Sequence, residues 1–487
     1  MARKLDEDQT AALRVMLSGE NCFLTGKAGT GKTFLLTQFI SQMEEEEKNL
    51  LICAPTGAAA LRLKEAAWEN HRTRIDAFTI HRAFKLNKTD IFETNGRKPH
   101  KELIAADVVI IDEISMCRID LFDYLMDEID KASALKNRDE MRLAKKEGRD
   151  PVDKSIQVIV TGDFYQLEPV LGSRERELFR KRYGTKLYAF EATAWKLANF
   201  HNLILRQAVR TGDDLEFDEH LNLLRSLDDD EKLFDVIDWF DMNTRKELFN
   251  DGSAVSICGK NKTASSINEL ELSKIDAETI YSQAELTGDA KIDDSNAEEN
   301  LYFKEGARVM MLVNGDGYVN GQFGTITDYD EDDEEVTVKL DGGRKVTVSK
   351  NTWTVTKPVI KEEKKARKDP DGIPVLGEDG KQIYDIVEKL DSEAVGAVKQ
   401  YPFKLGYAFT IHKAQGMTLD CVNFKPEVFA FGQLYVALSR VRHAKDICIN
   451  GVLPFPCKTT SKKVIKFYHD IDKYDDSMRH AGTLQPD

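Results

Sequence analysis

The chain has 487 residues, 41% hydrophobic and 31% charged, which is typical of a soluble globular protein with two to four domains. No apolar run approaches the ~20 residues that a membrane span needs, and the first ten residues lack the apolar region of a signal peptide. Seven scattered cysteines without a CxxC pair favour reduced core thiols over disulfides or a zinc site. We therefore expect an intracellular protein without a membrane contact. It would be cytoplasmic in a bacterium or virus, or nuclear or mitochondrial elsewhere, and not secreted.

The net charge of −15 argues at first against nucleic acid as a partner. The acidic residues are clustered, however, at Glu44–Glu47, at Asp228–Glu231 and between Asp328 and Glu335. Such runs are typical of solvated surface and need not line a binding groove. The overall charge therefore excludes no class of partner.

Strands and helices alternate in the first 165 residues. The segments NCFLT, NLLICAP, ADVVIID and IQVIVTGD have the composition of buried parallel strands, and helical patterns cover 34–46, 57–69 and 117–131. This alternation predicts a doubly wound α/β domain. A second set of strands and helices begins near residue 200 and predicts a second α/β domain.

Residues 25–33, TGKAGTGKT, join the first predicted strand to the helix that follows. The spacing Gly26-x-x-x-x-Gly31-Lys32-Thr33 fits a P-loop. In a P-loop, backbone N–H groups bind phosphates, the lysine reaches the β- and γ-phosphates and the hydroxyl binds Mg²⁺. An ordinary flexible turn is the alternative, but the strand–loop–helix context favours nucleotide binding. The predicted contacts are Gly26, Ala28, Gly29, Thr30, Gly31, Lys32 and Thr33.

Two later strands end in polar side chains that suit phosphate hydrolysis. VVIIDEISM ends a buried strand in Asp112-Glu113, where Asp112 would position Mg²⁺ and Glu113 would activate a water. VTGDFYQLEPV places Gln166 just past another strand end, within reach of a γ-phosphate and its attacking water. A polar loop residue without this role is the alternative for Gln166.

Two segments do not follow the alternating strand and helix pattern. Residues 306–400 contain short alternating strands with turn signals at Asn320-Gly321 and Asp341-Gly342-Gly343, which predicts a small β-barrel inserted in the second domain. Residues 134–154 predict a charged helical insertion without an apolar face.

Five further segments follow the P-loop in a fixed order. They are APTGAAALRL after the second strand, TIHRAF at 79–84, GDFYQLEPV, FTIHKAQGMTLD at 409–420 and GQLYVALSRVR at 432–442. With these motifs the chain resembles the PIF and RecD-like branch of the superfamily 1 helicases, from Gln9 to about residue 450. The resemblance implies a helicase that uses ATP and Mg²⁺ and moves 5′→3′ on single-stranded DNA. Its partners would be single strands and single-strand/duplex junctions in replication, repair or recombination.

The resemblance also implies an α/β fold with two RecA-like P-loop NTPase domains. The family has a small wedge inserted in the first domain and an SH3-like β-barrel inserted in the second. The chain would then divide into a first RecA-like domain at 1–200, with the wedge at about 85–101 and the charged insertion at 134–154; a second RecA-like domain at 201–305 and 401–457; the β insertion at 306–400; and a C-terminal helical tail at 458–487.

Several site residues follow from the resemblance by position. Gln9 resembles the glutamine that reads adenine, Gly416 a nucleotide contact, and Arg440 in ALSR the arginine that crosses the domain cleft to the γ-phosphate. A cation from the opposing domain is what phosphoryl transfer requires, although Arg440 is also compatible with a helix C-terminal cation. The family's Phe-Arg-Gln element appears as Val209-Arg210-Thr211, and spacing favours Arg210 as an arginine finger. Arg206-Gln207 is the alternative, as are simple ion pairs of both arginines with Glu216 or Asp218.

DNA contacts are predicted on the opposite lip of the same domains. Backbone and hydroxyl groups at a strand end can bind a phosphate, and aromatic rings and cations can bind single strands without reading their sequence. A lone histidine, however, is more often structural. The candidates are Thr56, Gly57, His81, Phe84, His412 and Lys413.

Other functions stay open at this point. A DNA-stimulated ATPase that displaces proteins or acts as an adaptor would need no apolar wedge tip, and 85–101 offers only Ile91 and Phe92 for one. An RNA motor is a third option, although TIHKAQGMT favours the DNA branch. Replication or repair proteins would bind through 134–154 or the β insertion, and the active form would be a monomer.

Overall fold

The computed structural model describes most of the chain, namely residues 4–86, 98–171, 176–207, 214–227, 229–249, 254–366, 382–415, 417, 419–454 and 460–482. Arg210, Gly416 and most of the predicted wedge at 85–101 lie outside these residues. Among the described residues, no helix has both the length and the apolar character to cross a bilayer.

The first half of the chain forms one parallel sheet with helices on both faces. Its six strands lie in the order β3-β2-β4-β5-β1-β6, and every neighbouring pair is parallel. This arrangement confirms the predicted α/β class. The elements are α1 (Glu7–Leu17), β1 (Cys22–Gly26), α2 (Lys32–Glu45), β2 (Leu50–Ala54), α3 (Gly57–His71), β3 (Ala77–Thr79), α4 (Ile80–Ala83), α5 (Lys101–Ala105), β4 (Val108–Ile111), α6 (Ile119–Glu147), β5 (Gln157–Thr161), α7 (Arg176–Tyr183), α8 (Thr193–Leu197) and β6 (His201–Leu205).

The predicted charged insertion at 134–154 is not a separate appendage. Residues 134–147 continue α6 without a break, and most residues of 134–154 are exposed, in keeping with the predicted lack of an apolar face. Ala144 and Glu140 are buried, and Glu140 accepts hydrogen bonds from Arg149 and from the backbone of Val152. A short apolar side chain and a carboxylate paired with an exposed arginine are not found by a search for large apolar residues.

The described residues of the second half form one further parallel sheet and three antiparallel ones. The parallel sheet has the order β18-β7-β19-β20; the antiparallel sheets are β14-β13-β12-β11-β17, β15-β16-β9 and β10-β8. The elements are α9 (Leu215–Ser226), α10 (Asp230–Asn243), β7 (Val255–Cys258), α11 (Asn261–Ser273), β8 (Ile280–Gln283), β9 (Glu285–Gly288), β10 (Asn300–Phe303), β11 (Arg308–Met311), β12 (Phe323–Asp330), β13 (Glu335–Leu340), β14 (Lys345–Val348), β15 (Asn351–Ala366), β16 (Tyr384–Gln400), β17 (Phe403–Leu405), β18 (Ala408–Thr410), α12 (Ile411–Ala414), β19 (Val422–Phe424), α13 (Gln433–Leu438), β20 (Ile447–Ile449) and α14 (Lys462–Gly482).

The antiparallel region extends further in both directions than its sequence pattern indicates. It begins at β8, which pairs with β10, and it includes β9, which pairs with β16 although all four of its residues are exposed. It ends at β17, beyond residue 400, which pairs with β11. The strands β15 and β16 form a long hairpin, and β15 packs against α4 and α5 of the first domain.

The last helix, α14, returns to the first domain. Val464, Tyr468 and Ile471 are buried in the same core as Phe23 and Phe164. The Phe467 ring stacks on that of Phe190, with 4.3 Å between centroids. The C-terminal segment therefore completes the core of the first domain.

Candidate ATP site and nucleic-acid interface

The P-loop connects β1 to α2 through backbone that requires glycine. Gly29 and Gly31 have φ angles of +81° and +82°, a left-handed conformation that side chains disfavour. At Gly26, a Cβ would lie 2.5 Å from the carbonyl oxygen of Leu205. The loop therefore leads into the N-terminus of α2, where the helix dipole favours an anion.

Lys32 is the first residue of α2, and its ammonium group curls back over the loop. Its Nζ donates to the carbonyls of Gly26 and Lys27, each at 2.9 Å. Burial lowers the pKa of Lys32, an effect that the nearby carboxylates of Asp163 and Glu113 oppose. A phosphate in the loop would exchange these carbonyls for charged oxygens and stabilise the ammonium form.

Gln9 is held against the P-loop from α1. Its Nε2 donates to the carbonyl of Thr30 at 3.1 Å, and its Oε1 accepts from the backbone of Asp6 in a capping box. The side chain is 1% exposed. The structure thus brings this predicted adenine contact to the loop that binds the phosphates.

The two acidic residues after β4 occupy different environments. Asp112 accepts from the backbone N–H of Glu113 at 2.9 Å, and burial together with the Glu113 charge raises the pKa of Asp112 well above its usual range. Lys32 and Arg62 oppose that rise, so both cations lie near the pair. Glu113 has a left-handed φ of +51°, and its carboxylate lies 3.7 Å from Arg62. Strained backbone of this kind is common at catalytic sites.

Gln415 of the second domain contacts two of the predicted catalytic side chains of the first. Its Nε2 donates to Oε2 of Glu113 and to Oε1 of Gln166, each at 3.1 Å. Sequence reasoning missed Gln415 as a site residue, although it lies in FTIHKAQGMTLD. The amide bridges the domain cleft between the two side chains that are predicted to activate and orient the attacking water.

Tyr435 makes a second contact across the cleft. Its hydroxyl accepts from the P-loop N–H of Ala28 at 3.2 Å. This N–H is one of the predicted phosphate donors, so a bound nucleotide would compete with the tyrosine for it. Tyr435 was also missed from the sequence, because its partner is more than 400 residues away.

Arg440 lies inside the second domain and is 2% exposed. Its guanidinium donates to the carbonyls of Val436, Ala414 and Met417 and to the Ser439 hydroxyl. To contact the γ-phosphate, the guanidinium would have to leave these carbonyls. The role of Arg440 at the γ-phosphate stays a prediction.

Arg206, the alternative finger, pairs with Asp472 of α14 at 3.2 Å. That ion pair turns its guanidinium toward the C-terminal helix. Arg210 and Gly416 lie outside the described residues.

The predicted DNA contacts on the first domain separate into two groups. Thr56 caps α3 by accepting from the N–H of Ala59 at 3.2 Å, Gly57 begins that helix, and His81 is exposed on α4. Phe84, in contrast, is 3% exposed and packs in the core of the domain, so its predicted role in stacking on a base is wrong. The spacing of Ile80, Ala83 and Phe84 follows one helix face, which is the signal that could have placed Phe84 inside.

On the second domain, the predicted contacts line a cavity of about 410 Å³. His412 and Lys413 lie here beside the N-terminus of α11, and burial lowers the pKa of His412. Lys260 and Asn261 open that helix and were missed, although GKNK after a strand is a sequence signal for an anion site. The cavity is lined by Gly259, Lys260, Asn261, Thr410, His412, Lys413 and Phe429.

Comparison with known proteins decides the family. Residues 9–171 match the model of an AAA domain. A Pif1 ATP-dependent DNA helicase of Campylobacter jejuni is 30% identical over 465 residues, which cover 90% of each chain. This chain belongs to the family of Pif1 ATP-dependent DNA helicases.

Solved Pif1 structures agree with this assignment. Pif1 of a Bacteroides species in complex with ADP-AlF4 superimposes with a TM-score of 0.71 at 26% identity, over 97% of this chain and 98% of that chain. The same Pif1 bound to single-stranded DNA gives 0.62 at 26% identity and the same coverage. Candida albicans Pif1 gives 0.65 at 25% identity, over 96% and 100%. The predicted helicase family is confirmed, and its two RecA-like domains are consistent with these Pif1 folds.

Proposed function

We propose that this Pif1-family helicase moves 5′→3′ along single-stranded DNA and separates the duplex ahead of it. The observation that carries the coupling of hydrolysis to movement is the contact of Gln415 with Glu113 and Gln166, whereas the direction follows from the resemblance to the 5′→3′ branch. It joins the predicted water-activating residues of one domain to the FTIHKAQGMTLD motif of the other. That same motif supplies His412 and Lys413 to the cavity on the DNA side. Closure of the cleft on ATP would therefore move the DNA contacts with it.

ATP and Mg²⁺ fit the residues around the P-loop. The Thr33 hydroxyl and the Asp112 carboxylate are the oxygen ligands that Mg²⁺ prefers. The positive charge of Lys32 opposes the rise in the pKa of Asp112, which places the two groups near each other. The ion would neutralise phosphate charge in hydrolysis. Lys32 would bind the β- and γ-phosphates, while Glu113 accepts a proton from a water that Gln166 orients.

Single-stranded DNA would lie across the two domains, between the α3 N-terminus and the cavity beside α11. Both helix starts present backbone N–H groups to an anion, and Lys260 and Lys413 are exposed cations. Contacts of this type bind the backbone without reading sequence, as a translocating motor requires. The active form is a monomer in this proposal.

Matched duplexes with a 5′ or a 3′ single-stranded tail test the direction. We expect ATP-dependent strand separation only on the 5′-tailed duplex, and stimulation of ATP hydrolysis by DNA above that by RNA. Unwinding of the 3′-tailed duplex alone would overturn the polarity. Hydrolysis stimulated by DNA without strand separation on either duplex would favour a translocase that displaces proteins.

A further inference from the structure

The hydroxyl of Tyr468, in the C-terminal helix α14, lies between the ends of two strands that carry the ATP site. It is 2.7 Å from the Thr25 hydroxyl and accepts from the N–H of Phe164 at 3.1 Å. Thr25 directly precedes the first P-loop glycine, and Phe164 is two residues before Gln166. One side chain of the C-terminal helix therefore contacts both the segment that enters the P-loop and the segment that leads to Gln166.

The same hydroxyl reaches Asp163, which binds the second domain. Tyr468 Oη is 3.4 Å from Oδ1 of Asp163. Asp163 in turn accepts two hydrogen bonds from Arg225 of α9, at 3.0 and 3.2 Å, and its side chain is fully buried. A buried bidentate pair of this kind holds two elements in one geometry. Arg225 thus ties the second domain to the strand end that leads to Gln166.

Aromatic rings enclose this ion pair. The Tyr468 ring stacks on Tyr165, with 4.5 Å between centroids and 16° between planes. The guanidinium of Arg225 lies 4.2 Å from the Tyr165 ring and 5.6 Å from the Tyr468 ring. Leu167, three residues beyond Phe164, packs in the core of the second domain. The contact between domains is therefore largely buried at this point.

We propose that Tyr468 is a positioning residue of the motor. It holds Asp163 in the orientation that binds Arg225, so that the C-terminal helix couples the P-loop and Gln166 to the second domain. The proposal rests on the proposed function, because it concerns the turnover that drives the motor. The hydroxyl accepts from the N–H of Phe164 and forms hydrogen bonds with the Thr25 hydroxyl and with the Asp163 carboxylate, which can only accept. Loss of the hydroxyl would remove one of the hydrogen bonds that fix the Asp163 carboxylate, which also accepts from the N–H of Tyr165 at 3.1 Å, while the ring would still fill its place.

The substitution Tyr468→Phe tests this directly, because it removes one oxygen and keeps the stacked ring. We expect kcat for ATP hydrolysis on single-stranded DNA to fall about tenfold, with KM for ATP within twofold of the wild-type value. We expect kcat to fall while KM is kept, because the P-loop of the first domain binds the nucleotide, whereas turnover also requires the second domain to be correctly positioned.

A matched control is Tyr401→Phe. Tyr401 is buried in the antiparallel region and donates to the carbonyl of Glu334 at 3.0 Å, so the control loses the same kind of hydrogen bond away from the cleft. Equal kcat values for the two variants would overturn the proposal, as would a rise in KM that accounts for the whole loss.

A double-mutant cycle with Arg225→Lys gives a second measurement. If Tyr468 acts through Asp163 and Arg225, the double variant should lose little more kcat than Arg225→Lys alone, whereas independent effects would multiply and contradict the proposal. The readout is ATP turnover, so failure of the 5′-tail experiment would count against the proposed polarity and leave this coupling standing.

Discussion

Gly432 of the second domain lies directly against the carbonyl oxygen of Gln166 in the first. A Cβ on Gly432 would overlap that oxygen, and its φ of +76° is left-handed. We expect Gly432→Ala to force the domains apart at Gln166 and to lower ATP turnover at least tenfold. Steady-state ATPase assays on single-stranded DNA measure this.

Gly343→Ala is the matched control, because Gly343 has a similar φ of +84° but open space around it. Both variants carry the backbone strain of about 1–2 kcal/mol that a left-handed residue costs. Only the overlap across the cleft distinguishes them. Equal losses of turnover in the two variants would show that the overlap has no functional consequence.

Lys32→Ala and Glu113→Gln should both abolish unwinding while differing in nucleotide affinity. Loss of Lys32 removes the cation that meets the β- and γ-phosphates, so ATP binding should weaken. Glu113→Gln removes only the group that activates water, so ATP should stay bound and unhydrolysed. Binding of a fluorescent ATP analogue separates the two, and an equal loss of affinity would refute this division of roles.

The parts of this site that could be predicted are those encoded within a few consecutive residues. The P-loop, Asp112 and Glu113 belong to short strand–loop units whose local spacing carries the chemistry. Gln415 and Tyr435 escaped prediction as site residues, because the partners that define their roles lie in the other domain. A single sequence shows which side chains follow a strand, but not which of them meet when two domains close.

Two features that the sequence did not reveal have a different physical cause. Phe84 lies in a motif that also contains exposed His81, and the motif was interpreted as a unit although its helix has two faces. In α6, the buried face beyond residue 134 consists of Ala144 and Glu140. A pattern search for large apolar residues overlooks a face built from a methyl group and an ion pair.

DNA affinity should fall steeply with salt, despite the net charge of −15. Each phosphate neutralised on a single strand contributes about −0.7 to the slope of log K against log salt. Lys260→Ala and Lys413→Ala should each reduce the slope by roughly that amount. Lys445→Ala, an exposed lysine outside the cavity beside α11, should leave it unchanged. A flat salt dependence in the wild type would show that stacking, not this cavity, holds the DNA.

The stability of the protein should depend on pH through Lys404. Burial, with repulsion from Lys413, lowers the pKa of Lys404 to about 8 from its ordinary 10.5. Between these two values the unfolded chain binds more protons than the folded one, so this group makes the free energy of unfolding rise with pH. Against Lys404→Met, the wild type should gain stability from pH 8 to pH 10 in urea unfolding. A difference between the two proteins that stays constant over this range would contradict the assignment.

The last prediction separates Arg210 from Arg206. Arg206 directly follows β6 and pairs with Asp472, each side chain being partly exposed, so its ion pair contributes little to stability. Arg206→Ala should therefore change turnover less than twofold.

Arg210 follows the strand, and its spacing matches the family's Phe-Arg-Gln element. An arginine that stabilises charge on the transferred phosphoryl group contributes about 10³-fold or more to the rate. We expect Arg210→Ala to lower DNA-stimulated kcat by roughly that factor while ATP binding is largely kept. Single-turnover hydrolysis with both variants measures the ranking, and the reverse order would assign the finger to Arg206.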